Sequence, residues 1–225
     1  EEMLATLQNR SGRYSNVLRV GAVSTLSKNF QLSFLREALE DTELEVVIHS
    51  ASTSELFNQL RAHNIDLVLS NSPVPPDHER RLHSQLVDNQ AVSLVGPKKF
   101  KKRHTFRFPE DLRGVPMVLP SMESNIRARF DLIMERAGIA PLIAAEADDM
   151  AMLRLIARET ECIALVPPVV VHDELKSGIL TELYQIPDIH ETFYAVTASR
   201  RYPNPYLKKL LARATNIIEA IRASG

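Results

Sequence analysis

Apolar and polar positions alternate between two periods along the chain. Leu18-Arg19-Val20-Gly21-Ala22-Val23 reads as a strand. Leu26, Phe30, Phe34, Leu35, Ala38 and Leu39 then recur at helical spacing, which predicts a helix over 26–40. Glu45–His49 is a second β-rich run, and Leu56 and Leu60 mark a helix over 54–62. Residues 65–70 are apolar on both faces, as a buried parallel strand should be. These elements form a βαβαβ unit, whose crossovers should be right-handed.

The second half repeats the theme. Residues 72–90 read as irregular, with prolines at the start, and 91–95 as a strand. After a basic loop at 97–107, strands are expected at 115–119, 142–146, 162–166 and 193–198. Helices are expected at 124–137, stopped by Gly138, at 149–158 with Asp148 as N-cap, at 169–177 and at 205–222. The pattern predicts two Rossmann-like lobes: 17–92 with 192–225, and 93–191. Two crossings between lobes would put a cleft at their junction, the usual place for a small ligand. Residues 1–16 read as the end of a helix and a linker.

Composition narrows the function. With 44% hydrophobic and 24% charged residues, the 225-residue chain has an ordinary globular mix. A net charge of −1 gives no global basic field for nucleic acid. No apolar run reaches the ~20 residues of a membrane span. The single cysteine, Cys162, excludes an internal disulfide and agrees with a cytoplasmic setting; it reads as a buried packing residue. The scattered histidines make no zinc spacing, and no nucleophile–base pair, P-loop or G-x-G-x-x-G is present. We therefore expect neither an enzyme nor a cofactor.

Five segments, in order, carry a resemblance: Leu18-Arg19-Val20-Gly21, Thr53-Ser54-Glu55-Leu56, Leu60 to Ile65-Asp66-Leu67, Phe108-Pro109-Glu110-Asp111-Leu112-Arg113-Gly114, and Ile163-Ala164-Leu165-Val166-Pro167. Over about 17–215 the chain resembles the effector-binding domain of LysR-type transcriptional regulators. That implies a type II periplasmic-binding-protein fold, an effector in the cleft and a role in oligomerisation. It also implies DNA binding through a winged helix-turn-helix outside these residues. Thr160-Glu161-Cys162 departs from the family, which usually has two glycines there. With Ser24–Lys28, Asn71-Ser72-Pro73 and Glu146–Asp149, it is most similar to the NhaR subfamily, whose members activate a sodium/proton antiporter in response to sodium. An exported solute receptor of the same fold is the second reading.

Ser24 and Thr25 after the first strand, and Thr53 beside Ser52 after the second, offer hydroxyls at helix N-termini, where anions or carbonyl oxygens bind well. Ser121, Ser124 and Asn125 hold the matching place in the second lobe. Simple helix capping would also explain each of them. Capping is the leading account of Asp148 and Asp149, but Asp148 with nearby hydroxyls is also a candidate sodium ligand, since hard cations prefer oxygen. Lys98, Lys99, Lys101, Lys102 and Arg103 read first as a solvated loop, and only second as a contact for DNA or a partner. The resemblance implies a homodimer or homotetramer in which helix 26–40 packs on helix 124–137 of another copy. Leu32 and Phe34 against Phe130 and Ile133 are the expected contacts.

Overall fold

A computed structural model describes residues 16–75, 81–101, 105–201 and 203–212. Expectations for residues 1–15, for Lys102 and Arg103, and for the helix beyond 212 fall outside these. The chain divides into two units. Unit 1 comprises residues up to Leu26, Gln31–Asp88 and Thr192 onwards; unit 2 comprises Ser27–Phe30 and Asn89–Glu191.

Unit 1 is built on β1 (Val17–Val23), β2 (Glu45–Ala51) and β3 (Leu67–Ser70). Its helices are α1 (Lys28–Glu40), which counts with this unit from Gln31 on, and α2 (Thr53–Arg61). β1 lies between β2 and β3 and is parallel to both. Its neighbours explain its glycine. A Cβ on Gly21 would come within 2.8 Å of Leu56 and 2.9 Å of Ile65, so only hydrogen lets α2 and the β3 entry close on the strand. Ser27 caps α1 by accepting from the Phe30 N–H at 3.3 Å. Phe30, Leu35 and Ala38 face inward, while Leu32 and Leu39 are exposed. α2 ends in a left-handed residue that is not glycine: His63, at φ 61°. There His63 N–H donates to Leu60 O and Asn64 N–H to Gln59 O, closing the last carbonyls of the helix.

Unit 2 repeats this plan. β5 (Pro116–Pro120) lies between β6 (Leu142–Ala147) and β7 (Ile163–Val166), again parallel to both. Its helices are α3 (Asn125–Arg136), α4 (Met150–Glu159) and the short α5 (His172–Ser177), which follows a 3₁₀ turn at Pro168–Val171. Gly138 at φ 64° ends α3, and Ile139 N–H returns to Met134 O. The departure from glycine at Thr160 is bridged by its side chain. Thr160 Oγ1 donates to Ile156 O at 2.7 Å and accepts from the Cys162 N–H at 3.3 Å, turning the chain into β7. Cys162 itself is buried in the unit 2 core.

Each parallel set is completed by one antiparallel strand from a long element. β8 (Thr181–Ala198) pairs with β3, and β4 (Leu82–Gly96) pairs with β7. Both run further than expected. Residues 82–90, read as irregular, are the first part of β4, and 181–192 belong to β8. A helical stretch at 205–212 follows, with Leu207 and Leu210 buried. Among the described residues, no helix is long and apolar enough to cross a membrane.

Candidate functional site

In each unit the residue after the first strand of the parallel set donates its backbone N–H to the last residue of the next strand. Ser24 N–H reaches Ala51 O at 3.1 Å, and Ser121 N–H reaches Ala147 O at 3.2 Å. These bonds extend the parallel ladders by one rung. They bring Ser24 and Thr25 beside the Ser52-Thr53 turn in unit 1, and Ser121 beside the Asp148-Asp149 turn in unit 2. The predicted effector residues therefore lie on the turns that follow strand C-terminal ends or, for Thr53 and Asn125, at the first helical position after them.

Capping falls to particular neighbours. Ser52 Oγ accepts from the Glu55 N–H at 3.4 Å, so Ser52 caps α2. Ser124 Oγ accepts from the Ile126 N–H at 3.3 Å, so Ser124 caps α3 and its hydroxyl is partly committed. The cap of α4 is Asp149, not Asp148: Asp149 Oδ1 accepts from the Ala151 N–H at 2.9 Å. Of two adjacent aspartates, the one immediately before the first helical residue has the extended backbone that a cap needs. The side chains of Ser24, Thr25, Thr53, Ser121, Asn125 and Asp148 make no hydrogen bond among the described residues, and all are exposed or half-buried. Capping does not account for them.

Arg127 is a feature that the sequence pattern did not single out. It lies in the first turn of α3 and is only 4% exposed. Its Nη1 donates to Glu146 Oε1 at 2.7 Å and to Pro120 O at 3.1 Å. Its Nε donates to Asp131 at 2.8 and 2.9 Å. Burial opposes its charge, but hydrogen bonds to Glu146 and Asp131 and their negative charges outweigh that cost and push its pKa up. The guanidinium is thus consumed inside the unit. The stretches 121–127 and 146–149 otherwise carry Glu123, Glu146, Asp148 and Asp149, so this end of unit 2 has more carboxylates than cations. Among the described residues, no group of three or more His, Cys, Asp or Glu is placed to hold a metal ion.

The expected oligomer contacts divide differently. Phe130 is fully buried in the unit 2 core, so it is not an exposed anchor; Ile133 is half-buried and packs against that core. α3 turns Ile126, Arg127, Phe130 and Met134 inward together, a charged residue among the apolar ones. Leu132 is the outward apolar residue of α3, at 46% exposure. On α1, Leu32 is exposed and Phe34 is half-buried. Both edge strands also expose apolar side chains: Val47 and Ile48 on β2, Leu142 and Ile143 on β6.

The described lysines of the basic run fold back on their own unit. Lys99 pairs with Glu161, Lys101 Nζ donates to Glu182 O at 3.2 Å, and Lys98 lies against Gly178 at the end of α5.

Comparison with known proteins agrees with this architecture. The model of the LysR substrate binding domain matches residues 11–216. The transcriptional activator protein NhaR of Escherichia coli strain K12 is 24% identical over 214 residues, spanning 93% of this chain and 69% of the relative. The effector binding domain of QuiR in complex with shikimate superposes with a TM-score of 0.60 at 13% identity, over 88% of this chain and 94% of that one. Vibrio fischeri DarR in complex with DNA gives 0.67 at 17% identity, over 96% and 75%. The fold of these regulatory domains is the type II periplasmic-binding-protein fold.

Proposed function

The chain belongs to the LysR substrate-binding-domain family and is the effector-binding domain of a LysR-type, NhaR-like regulator; from that premise we propose that its effector is small and cationic, with sodium the first candidate, and is read by the turns at the strand ends. Each unit has its own candidate set: Ser24, Thr25 and Thr53 in unit 1; Ser121, Asn125 and Asp148 in unit 2, with Ser124 supplying its remaining lone pair. The observation that carries this reading is that the capping bonds go to Ser52, Ser124 and Asp149, which leaves Thr53, Ser121 and Asp148 with uncommitted oxygen atoms. Hydroxyl and carboxylate oxygens suit a hard cation. The internal engagement of Arg127 argues against a carboxylate or phosphate effector at this end of unit 2. Such a ligand regulates only as far as it prefers one of two states of the protein. The regulator works in the cytoplasm and reaches DNA through a domain outside this chain.

Amide chemical shifts, followed while sodium chloride replaces potassium chloride at fixed ionic strength, test the assignment. Sodium-specific changes are expected at Ser121 and Asp148, and their loss in Asp148→Asn, with Thr53 reporting unit 1 separately. Identical spectra in the two salts would overturn sodium as the ligand.

The exposed apolar positions fit a second copy of the chain. Leu32 and Leu39, seven apart, share one face of α1, and Leu132 is exposed on α3. A surface of this kind usually marks a partner. Leu32→Asp is expected to halve the mass measured by light scattering without lowering the melting temperature. An unchanged mass would remove α1 from the interface.

A further inference from the structure

We propose that Arg127 is a positioning residue that ties the turn entering α3 to the turn entering α4, so that the two turns hold one geometry. The proposal rests on the reading that these turns contact effector.

Pro120 is the last residue of β5 and directly precedes Ser121. Glu146 stands two residues before Asp148. From the first turn of α3, Arg127 reaches back and holds both, through the Pro120 carbonyl at 3.1 Å and the Glu146 carboxylate at 2.7 Å. Asp131, one turn further along α3, fixes the other edge of the guanidinium at 2.8 and 2.9 Å. The planar fork is therefore clamped on two sides, and its direction is set by the helix. The β5–β6 ladder runs to Pro120 and Ala147 and ends in the Ser121 N–H to Ala147 O bond. That ladder fixes the strand ends but not the first turn of α3, which can pivot on them. The added fork resists that pivot, because it fixes two more atoms at defined angles.

Residue type matters here. Lysine keeps the charge but is a point donor on a flexible stem and cannot reproduce the fork. Buried ion networks are also weak sources of net stability, since apolar residues of similar volume often replace them without loss. A role in geometry accounts for retaining charge at a site that is 4% exposed.

Amide hydrogen exchange on the whole 225-residue chain, without effector, separates positioning from plain stabilisation. The variants are Arg127→Lys, Arg127→Met and a control, Met134→Ala. Met134 is 1% exposed on the same helix and belongs to the core. The reporting amides are Ser121, Ser124, Ile126 and Ala151, whose bonds define the two turns. Val118 and Leu165, in β5 and β7, report the core. In both Arg127 variants the four turn amides are expected to lose protection about tenfold relative to the core pair. In Met134→Ala the turn and core amides should weaken together. Turn amides that behave in Arg127→Lys as in wild type, or as in the control, would overturn the proposal. A flat sodium titration would instead count against the effector reading and leave this result standing.

Discussion

Phe130→Ala is expected to cost about 3–5 kcal/mol, the range for removing a large aromatic from a packed core. The ring is 0% exposed and lies in the unit 2 cluster with Ile126 and Met134. Truncation removes the ring's transfer energy and leaves a cavity that the sheet of β5, β6 and β7 cannot collapse to fill. The loss should appear in urea unfolding followed at unit 2 amides. Oligomeric mass at low denaturant should stay constant, because the side chain is internal. A loss below about 1 kcal/mol would place the ring outside the sealed core. Phe130→Leu, which keeps much of the volume, should lose substantially less.

Asp66→Ala is the unit 1 counterpart, with an expected loss of about 3 kcal/mol, near the lower end for breaking a buried pair. Asp66 is 8% exposed. Its Oδ1 accepts from Arg200 Nη1 at 2.7 Å. Its Oδ2 accepts from the Arg19 N–H at 2.9 Å and from Asn204 Nδ2 at 3.2 Å. Arg200 also holds Ile65 O and His63 Nδ1, and Asn204 holds Val17 O. The carboxylate thus joins the starts of β1 and β3 to the segment after β8. Its removal strands a guanidinium that keeps only 16% exposure. Combined with Arg200→Ala, the total loss should be clearly less than the sum of the two single losses, since the second change removes the stranded charge. Strict additivity would mean that the pair does not act as a unit.

The parallel strands were readable because β1, β3, β5 and β7 are short and almost wholly apolar. The two long strands were half hidden for physical reasons. In the first part of β8 the buried residues are Leu183, Ile186 and Ile189, a spacing of three rather than two, and Pro187 stands among them. Proline and a broken alternation both argue against a strand. In β4 the buried Leu82 and Val87 are five apart, with polar residues between. The end of α2 carried no glycine signal, because His63 takes the left-handed position. For the candidate site, hydroxyls at strand ends were visible as residue types. Which of them cap was not, because Asp148 and Asp149 differ in backbone conformation rather than in chemistry. Arg127 and Asp66 were unreadable as hubs for a related reason: their partners lie up to 19 and 138 residues away in sequence.

The strand order of unit 1 also bears on how the polypeptide matures during synthesis. Unit 2 is nearly contiguous, from Asn89 to Glu191, whereas unit 1 needs Thr192 onwards to complete its sheet with β8. When the ribosome has delivered residue 191, all the strands of unit 2's parallel set are available, while β3 still has an open edge and Asp66 still lacks Arg200 and Asn204. The half translated first is therefore the half finished last, which reverses the usual N-terminal-first order of folding. Until then the β3 edge, apolar and unpaired, is the part of the nascent chain most in need of cover.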